Sequence, residues 1–364
     1  MKIVIDARFT RTDHHDGISR YGSSLIAALA KISDVSMLIS DPRQLKLLPD
    51  VPYTLIISPL SPAEIFVAAK VNRMGADVVV CPMQTMGSWG RNYGLVLTLH
   101  DLIYYEHPAP PGFLPAPVRV LWRLYHKAFW PQRLLLNRAD IVATISHTTA
   151  SLIAKYRLTT RPVRIVGNAP QHGHSPRDVT AGSDKSLLYM GSFMPYKNVE
   201  TMIKGMAELP GMTLHLLSRI TPARRAELES LVPRGTDIVF HNGVTEDEYE
   251  ALLSRATALI SLSKAEGYGL PLVEAMSHGT PVIASDIPIF REVGSDAVTY
   301  VHPDSPSEFA AAVRALEDPA VWDVQSHRSV ERAAEFSWDH SARQLLEVAE
   351  EAAAYRQRRN RSSL

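Results

Sequence analysis

Residues 261–286 read SLSKAEGYGLPLVEAMSHGTPVIASD. The pattern predicts a strand that ends near Ser263, a loop with the sequence KAEGYG, and a helix that starts near Leu270. Glu266 lies in that loop, and Glu274, after seven intervening residues, lies one turn into the helix. Both carboxylates can therefore face a ligand held at the N-terminus of the helix.

The chemistry of this helix start suits a nucleotide diphosphate. Its free backbone N–H groups and the positive end of its dipole attract phosphate. Gly267 and Gly269 let the backbone approach a ligand closely, and a carboxylate on the first turn suits the hydroxyls of a ribose. Ordinary strand–loop–helix units with solvated glutamates share this pattern, so the residues alone leave both interpretations open.

Strand and helix patterns alternate on both sides of this segment. Several predicted strands are continuously apolar, as in a parallel sheet that helices cover on both faces. Strands are predicted at 2–7, 35–39, 53–57, 77–81, 95–99, 140–145, 186–191, 213–218, 237–242, 257–263 and 280–285. Helices are predicted at 18–32, 62–73, 115–137, 198–208, 222–232, 246–255, 271–278, 306–317 and 336–356. The alternation predicts an α/β protein with two doubly wound lobes, joined by a polar linker within 168–185.

The composition of the chain sets limits on its class. Its 364 residues favour two domains, and 46% hydrophobic with 21% charged residues is typical of a soluble globular protein rather than a disordered, collagen-like or coiled-coil chain. No apolar run reaches the roughly 18 residues that span a bilayer, and Asp6 and Arg8 come too early for a signal peptide. Cys81 is the single cysteine, which excludes an intramolecular disulfide and a CxxC site. We therefore expect a cytoplasmic protein.

The zero net charge conceals an asymmetry between the two halves of the chain. Residues 1–180 hold 20 Lys and Arg against 12 Asp and Glu, a net charge of +8, and residues 181–364 carry the opposite charge of -8. A positive lobe favours an anionic partner or surface. Attraction between the two lobes is the alternative explanation.

Seven segments of the sequence together resemble the family 4 retaining glycosyltransferases, which have the GT-B fold. The most specific is the Glu-x7-Glu motif in EGYGLPLVEAMSHGTPVIASD (266–286). The other six occur in the family's order along nearly the whole chain, and they are GISRY (17–21), LTLHDL (97–102), NRADIVATIS (137–146), MGSFMPYKN (190–198), FHNGVTEDEYEALLSRA (240–256) and FSWDHSARQLL (336–346).

The resemblance implies two Rossmann-like domains that face a central cleft. Residues 1–175 would bind the acceptor, residues 176–335 would bind the nucleotide-sugar, and residues 336–364 would form a C-terminal helix that crosses back to the first domain. The implied reaction is the transfer, with retention, of a sugar from a nucleotide-diphosphate donor to a hydroxyl of a glycan or lipid-linked acceptor. GDP-mannose is the favoured donor because MGSFMPYKN with EGYGLP resembles bacterial polysaccharide mannosyltransferases, and UDP-glucose and related donors remain open.

The resemblance also assigns roles to individual residues. In the catalytic set, Glu266 would contact the donor sugar near the reacting carbon, Lys197 would hold the diphosphate, and His100 would contact the donor sugar from the first domain. A structural loop histidine is the alternative for His100. Glu274 would bind the ribose, and Gly17 would let the first loop approach the cleft. The remaining implied donor-binding residues are Gly191, Asn198, Val244, Gly267, Tyr268, Gly269 and Leu270.

The phosphate loop departs from the family pattern in one respect. The family often has an arginine at the positions of Ser192 or Tyr196 here, so one positive charge is missing. Arg219 either substitutes for it or is a solvated surface residue. No Asp-x-Asp motif is present to hold a divalent cation on a diphosphate, and no GxGxxG motif is present for a dinucleotide. We therefore expect no metal site, no cofactor and no nucleic-acid partner.

Two other classes of function compete with the transferase. A GT-B sugar-nucleotide epimerase acts on one substrate, and the polar, aromatic-rich first lobe argues against it. A non-catalytic two-lobed sugar-binding protein is the second alternative, and the joint presence of Lys197, Glu266 and Glu274 favours turnover instead.

Residues 118–138 read VRVLWRLYHKAFWPQRLLLNR and contain no acidic residue. A basic, aromatic-rich helix of this kind suits the interface of an anionic membrane, which would make the protein peripheral on the inner face of the cytoplasmic membrane. Leu121, Leu124 and Ala128 form a face that we expect to pack on the lobe, and an ordinary helix with solvated charges is the alternative. The residues expected to face an acceptor or a membrane are Arg119, Trp122, Arg123, Lys127 and Trp130.

Overall fold

The computed structural model of the protein describes residues 1–108, 110, 115–171 and 183–361. The chain divides into two compact units. Unit 1 comprises Met1–Asn168 with Ser337–Leu364, and unit 2 comprises Ala169–Phe336.

The first unit ends earlier than the boundary after residue 175 that the sequence suggested. The last backbone pairing of its sheet edge is the hydrogen bond from the N–H of Val166 to the carbonyl of Thr144, at 2.8 Å, and the chain leaves the sheet soon afterwards. Residues 172–182 of the expected linker lie outside the described residues.

Unit 1 is built on a sheet of seven parallel strands. Its strands are β1 (Ile3–Asp6), β2 (Val35–Ile39), β3 (Tyr53–Leu55), β4 (Val78–Cys81), β5 (Gly94–Leu99), β6 (Ile141–Thr144) and β7 (Val163–Ile165). The α-helices between them are α1 (Gly17–Leu29), α2 (Val67–Asn72), α3 (Ile103–Glu106), α4 (Ala116–Tyr125), α5 (Trp130–Leu136) and α6 (His147–Lys155). The strand order β3-β2-β1-β4-β5-β6-β7 reverses direction between β1 and β4, as in doubly wound folds.

Unit 2 repeats this design with a sheet of six parallel strands. Its strands are β8 (Ser186–Tyr189), β9 (Thr213–Leu216), β10 (Asp237–Phe240), β11 (Ala258–Ser261), β12 (Val282–Ser285) and β13 (Val298–Val301). Its α-helices are α7 (Val199–Gly205), α8 (Pro222–Glu229), α9 (Glu246–Leu253), α10 (Leu270–Ser277), α11 (Pro288–Gly294), α12 (Pro306–Ala315) and α13 (Pro319–Ala333). The order β10-β9-β8-β11-β12-β13 places its reversal between β8 and β11. The predicted α/β architecture with two doubly wound lobes is confirmed.

The last helix, α14 (Trp338–Arg361), packs within unit 1. Gly94 at the start of β5 lets this helix approach, because a Cβ there would lie 2.7 Å from the backbone of Ala352. At the N-terminal end of α14 the Trp338 ring is buried and lies edge-on to Tyr21, with 6.0 Å between ring centroids. The helix is therefore part of the core of unit 1.

The single helix predicted over residues 115–137 is two helices in the structure. Helix α4 ends at Tyr125, and α5 starts at Trp130 with Pro131 in its first turn. Proline lacks an N–H and fits only the first turn of a helix without disruption. The proline therefore marks a new helix start rather than the middle of a longer one.

Candidate functional site

The candidate site of unit 2 lies where its strand order reverses. Strand β8 leads into the loop 190–198, and β11 leads into the loop 262–269. These two strands are hydrogen-bonded neighbours at the reversal. Open parallel sheets bind ligands outside the carboxyl ends of the strands at this point. The structure thus brings together the two segments that the sequence analysis singled out.

Gly191 in the first loop occupies a position that excludes a side chain. A Cβ there would lie 2.8 Å from the hydroxyl oxygen of Tyr189. The Gly191 N–H donates to the Ser218 hydroxyl at 3.0 Å, and the Tyr189 hydroxyl donates to the Ser192 carbonyl at 2.6 Å. Burial raises the pKa of Tyr189, and the nearby charge of Glu266 raises it further. The phenol therefore stays protonated and holds the turn.

Asn198 fixes the end of the same loop. Its backbone is left-handed, with φ of +57°, and its amide nitrogen donates to the carbonyls of Leu262 at 3.0 Å and Pro303 at 2.6 Å. Its amide oxygen accepts from the Thr201 hydroxyl at 2.9 Å. The side chain thus joins the two loops, and any contact with a donor would come from its backbone.

Lys197 and Glu266 form an ion pair across the two loops. Their side chains are only 13% and 17% exposed. The Lys197 ammonium also lies 5.5 Å from the centre of the Tyr196 ring, and the Tyr196 carbonyl accepts from the N–H of Lys264 at 2.7 Å. A largely desolvated cation therefore sits beside a carboxylate at the reversal of the sheet, where a diphosphate would need a positive charge.

Helix α10 begins at this site as the sequence predicted. Gly269 is its N-cap with φ of +97°, and a Cβ there would lie 2.9 Å from the ring of Phe290. As a glycine, the N-cap has no side chain to occupy the first N–H groups of the helix. Glu274 lies on the second turn and is partly exposed, as are Gly267 and Leu270, whereas Tyr268 is buried. At the other end of α10, Gly279 has φ of +72°.

Val244 lies on the next loop of unit 2 and is partly buried. It precedes Thr245, which forms a capping box with Glu248 at the start of α9. Its other neighbour is Gly243, where a Cβ would lie 3.0 Å from the Cγ of Arg219. The Arg219 side chain is exposed, and its aliphatic part packs against this loop. Arg219 is therefore a surface residue.

Arg224 on α8 is a residue of the site that sequence reasoning missed. It donates to the carbonyl of Phe193 in the loop 190–198 at 3.0 Å and pairs with Glu200. It also lies 2.8 Å from a carboxylate oxygen of Glu227. Because two carboxylates balance its charge, Arg224 holds the loop backbone rather than adding a free cation. No sequence motif marks this contact, which joins residues 31 positions apart.

The two residues of unit 1 that were predicted to reach the donor, Gly17 and His100, lie at the start of α1 and after β5. Gly17 is the first residue of α1, and a Cβ there would meet no described atom within 4 Å. His100 follows β5 and its Nε2 lies 2.7 Å from the Pro82 carbonyl. Burial lowers the pKa of His100. The imidazole is therefore neutral near pH 7, with its proton on Nε2 and a lone pair on Nδ1.

The expectation that Leu121 and Leu124 pack on the lobe is wrong. They are 69% and 57% exposed, and the side of α4 that packs is its aromatic side. The Trp122 ring lies edge-on to Tyr104 with 4.8 Å between centroids. Aromatic rings bury more area than leucine and so take the inward face. Trp130 on α5 is 65% exposed.

Two of the predicted basic residues, Arg119 and Arg123, lie on α4, and Lys127 lies two residues beyond the end of that helix. Arg123 and Lys127 are exposed, and Arg119 is partly buried.

In the part of the chain that the structure describes, no helix is long and apolar enough to cross a membrane. Within the same residues, no group of three or more His, Cys, Asp or Glu is placed to hold a metal ion.

Three comparisons show similarity to known proteins. Residues 184–318 match the family described as Glycosyl transferases group 1. O-antigen chain mannosyltransferase RfbU of Salmonella typhimurium is 29% identical over 235 residues, which are 61% of this chain and 60% of that protein. Sucrose-phosphate synthase from Thermosynechococcus elongatus aligns with a TM-score of 0.71 at 19% identity, over 97% of this chain and 99% of that chain.

The two parallel sheets and this structural neighbour define a GT-B fold. The chain carries a domain of the glycosyl transferases group 1 family and is homologous to O-antigen mannosyltransferases. O-antigen chain mannosyltransferase B of Escherichia coli is 29% identical over 167 residues, which are 44% of each chain. The chain thus spans 60% and 44% of the length of these two curated relatives.

Proposed function

We propose that the protein is a retaining glycosyltransferase that transfers a sugar from a nucleotide-diphosphate donor to a hydroxyl of a glycan or lipid-linked acceptor. The observation that carries the proposal is the Lys197–Glu266 ion pair beside the glycine-capped start of α10, at the reversal of the unit 2 sheet. A phosphate-sized anion there would meet both a cation and the positive end of a helix.

The proposed chemistry follows from these charges. The bond between the anomeric carbon and the diphosphate oxygen breaks, and the nucleoside diphosphate leaves with the electron pair. The acceptor oxygen forms the new bond to that carbon, and its proton passes to the departing phosphate. Lys197 stabilises the negative charge that grows on the leaving group. Glu266 lies next to the donor sugar once Lys197 has turned to the phosphate, and Glu274 binds the ribose.

Mannose from GDP-mannose is the donor that we favour. Both relatives described above are named mannosyltransferases of the O-antigen chain, and the resemblance of MGSFMPYKN (190–198) with EGYGLP (266–271) favours the same donor. Retention of configuration, and a reaction that needs neither metal nor cofactor, come with the resemblance and are part of the proposal.

A thermal-shift screen of nucleoside diphosphates and nucleotide-sugars tests this function. A ligand at 100 times its dissociation constant stabilises the folded state by about 2.7 kcal/mol. We expect GDP and GDP-mannose to raise the melting temperature more than the uridine and adenosine compounds. A protein that no nucleotide stabilises would exclude the proposal.

Incubation with the donor alone tests the alternative epimerase function, because an epimerase converts the donor sugar without an acceptor.

We also propose that unit 1 attaches to an anionic membrane surface, as a peripheral protein on the inner face of the cytoplasmic membrane. Helix α4 exposes large apolar residues that the described residues of unit 1 leave uncovered, namely Val118, Val120, Leu121 and Leu124. Exposed basic residues adjoin them. The exposed Trp130 and Leu134 stand one turn apart on α5, and Leu134 lines a surface groove with Ile65 and Trp89. Basic and apolar groups together fit the interface of an anionic bilayer.

A further inference from the structure

The first loop of unit 1 (residues 7–16) follows β1 at the reversal of the unit 1 sheet. Strand β1 is the neighbour of β4 there, and parallel sheets bind ligands outside the carboxyl ends of their strands at such a reversal. Gly17, which the resemblance assigns to the donor site, comes directly after this loop and begins α1. The shape of the loop therefore decides where the start of α1 lies at this edge of the sheet.

One buried amide, that of Gln44, holds the backbone of the first loop. Gln44 lies in a short 3-10 helix (Pro42–Lys46) that follows β2, and it is 2% exposed. Its amide nitrogen donates to the carbonyls of Thr10 at 2.6 Å, Arg8 at 3.0 Å and Ala7 at 3.4 Å. Buried backbone carbonyls need such partners because they are cut off from water.

The oxygen of the same amide fixes its orientation. It accepts from the backbone N–H groups of Ser40 at 2.9 Å and Asp41 at 3.1 Å. If the amide were turned over, its oxygen would face three carbonyl oxygens and its nitrogen would face two N–H groups. Gln44 is thus a polar bridge between the segment after β2 and the first loop, and neither an apolar nor an ionised acidic side chain could form it.

Arg8 fastens the first loop to the segment after β4. Its side chain is fully buried, and its guanidinium donates to Asp6 at 2.7 Å and to Glu64 at 2.6 Å. The Glu64 carboxylate in turn accepts from the Gly87 N–H at 3.0 Å. The first loop is therefore tied to segments that follow two other strands.

The end of the first loop is fixed to the first turn of α1. The Asp16 carboxylate caps this helix by accepting from the Ser19 N–H at 2.9 Å. The Arg11 N–H donates to the Ser19 hydroxyl at 2.9 Å, and the Arg11 side chain donates to Asp16 at 2.7 Å. These contacts carry the position of residues 7–10 along the chain to Gly17.

We propose that Gln44 is a positioning residue of the transfer reaction, which sets the first loop and so the place of Gly17 and the start of α1. The proposal rests on the proposed transferase function and adds a residue to it. Gln44 acts through the backbone of residues 7–10, and a reacting group that is held in place in advance lowers the barrier to reaction. Loss of the amide therefore lowers turnover and leaves the nucleotide affinity of unit 2 unchanged.

Hydrogen–deuterium exchange and kinetics of Gln44→Met test the proposal. The substitution keeps the length of the side chain and removes its hydrogen bonds. Gln325→Met is the matched control, because the Gln325 amide in unit 2 is also buried and donates to the Ala297 carbonyl at 2.6 Å. In Gln44→Met alone we expect faster exchange over residues 7–17 and a kcat for GDP release from GDP-mannose that is lower by about tenfold. The dissociation constant of GDP should stay within about twofold of the wild-type value.

Gln44→Glu is the second variant, and it decides the question if Gln44→Met does not fold. Burial and the three carbonyl oxygens raise the pKa of a carboxyl group at this position. Above that pKa the carboxylate repels the loop, whereas below it the neutral carboxyl group can donate one hydrogen bond. The ratio of the variant's kcat to that of the wild type should therefore rise by about fivefold or more as the pH falls from about 8 to about 5.

Equal kcat in Gln44→Met and Gln325→Met, unchanged exchange over residues 7–17, or a kcat ratio of Gln44→Glu that does not depend on pH would overturn the proposal. An affinity for GDP that falls as far as kcat would overturn it too, because the effect would then lie in unit 2. The wild type separates this proposal from the function on which it rests. If the wild type binds no nucleotide, the transferase function itself fails. If the wild type binds GDP and turns over the donor while Gln44→Met behaves like its control, only the role of Gln44 fails.

Discussion

At the residue scale, the Glu266 carboxylate and the diphosphate of the proposed donor compete for one cation, the Lys197 ammonium. In the structure the carboxylate neutralises the lysine, so a diphosphate must replace it as the partner of that cation. A buried ion pair is costly to break on one side only. In the proposed reaction, Glu266 would thus weaken the binding of a product-like anion and supply a negative charge near the reacting carbon.

Glu266→Gln should therefore separate binding from turnover. We expect tighter binding of GDP, by about threefold to tenfold, because Lys197 loses its competing carboxylate. We expect a much lower kcat, because the charge near the donor sugar is gone. Calorimetric titration and steady-state kinetics measure the two effects. Weaker binding of GDP, together with an unchanged kcat, would contradict the role assigned to Glu266.

Gly17→Ala tests the first loop without disturbing the fold. The added methyl group meets no described atom within 4 Å, and alanine favours a helix over glycine by up to about 1 kcal/mol. We therefore expect an unchanged or higher melting temperature with a lower kcat, because only a bound substrate can clash with the new methyl group. Full activity in a folded variant would show that Gly17 does not lie against a bound substrate.

Motif reasoning predicted some of these residues and missed others for a definite reason. Gly269 was predicted as a glycine that lets the backbone approach a ligand, and the structure gives it a positive φ that favours glycine. The bridging role of Asn198 and the tether from Arg224 could not be predicted. Each depends on a contact with a distant segment, and such contacts exist only once the sheet has formed.

At the element scale, the loop 190–198 depends on its neighbours for its shape. It has few residues of regular structure, and it is held by α8 through Arg224 and by the loop after β11 through Asn198. A loop that presents a cation to a diphosphate must be positioned before the donor arrives. Its supports should therefore affect activity without touching the substrate.

Arg224→Met should lower kcat/KM for the donor by about tenfold. The substitution removes the hydrogen bond to the Phe193 carbonyl and leaves Glu200 without its partner. Losing such interactions typically costs about 1–3 kcal/mol. Arg225→Met is the matched control, because Arg225 is the next residue on α8 and pairs only with the exposed Glu229 among the ion pairs described. Equal kinetics in the two variants would show that the tether has no positioning role.

Short or partly buried elements were the ones that the sequence did not predict. Strand β7 has three residues, of which none is buried, and β13 has four. Their hydrophobic patterns are too short to distinguish from loops. Helix α13 was also missed, because charged and polar residues interrupt the apolar pattern of its 15 residues and it buries only part of one face. The long apolar strands beside the site were predicted because burial on both faces leaves a continuous apolar sequence.

At the scale of the whole molecule, the alternation of strands and helices was enough to predict two doubly wound units. It could not predict that α14 completes the core of unit 1, since nothing in an amphipathic helix specifies which sheet it covers. The resemblance to a family supplied that expectation instead. The opposite charges of the two halves of the chain could be counted from the sequence, and the exposed face of α4 could not.

Vesicle co-sedimentation tests the proposed attachment to a membrane. We expect binding to phosphatidylglycerol vesicles at low salt, since each basic residue near an anionic surface contributes about 1 kcal/mol, and little binding to phosphatidylcholine. The double variant Leu121→Ser, Leu124→Ser should bind more weakly. Val321→Ser, Val324→Ser on α13 is the control, because these residues are 44% and 51% exposed in unit 2. Equal binding to both lipids, or no effect of the α4 variant, would contradict the attachment.

The most direct test of the central claim is how much more tightly the protein binds GDP than guanosine, which lacks the diphosphate. The dissociation constants of GDP and guanosine are measured for the wild type, for Lys197→Ala and for Lys204→Ala, an exposed lysine on α7 that serves as the control. We predict that the wild type and the control bind GDP at least about 100-fold more tightly than guanosine. Lys197→Ala should reduce that ratio by about tenfold or more, equivalent to about 1.4 kcal/mol, with guanosine unaffected. The same ratio in all three proteins would contradict a diphosphate site at Lys197.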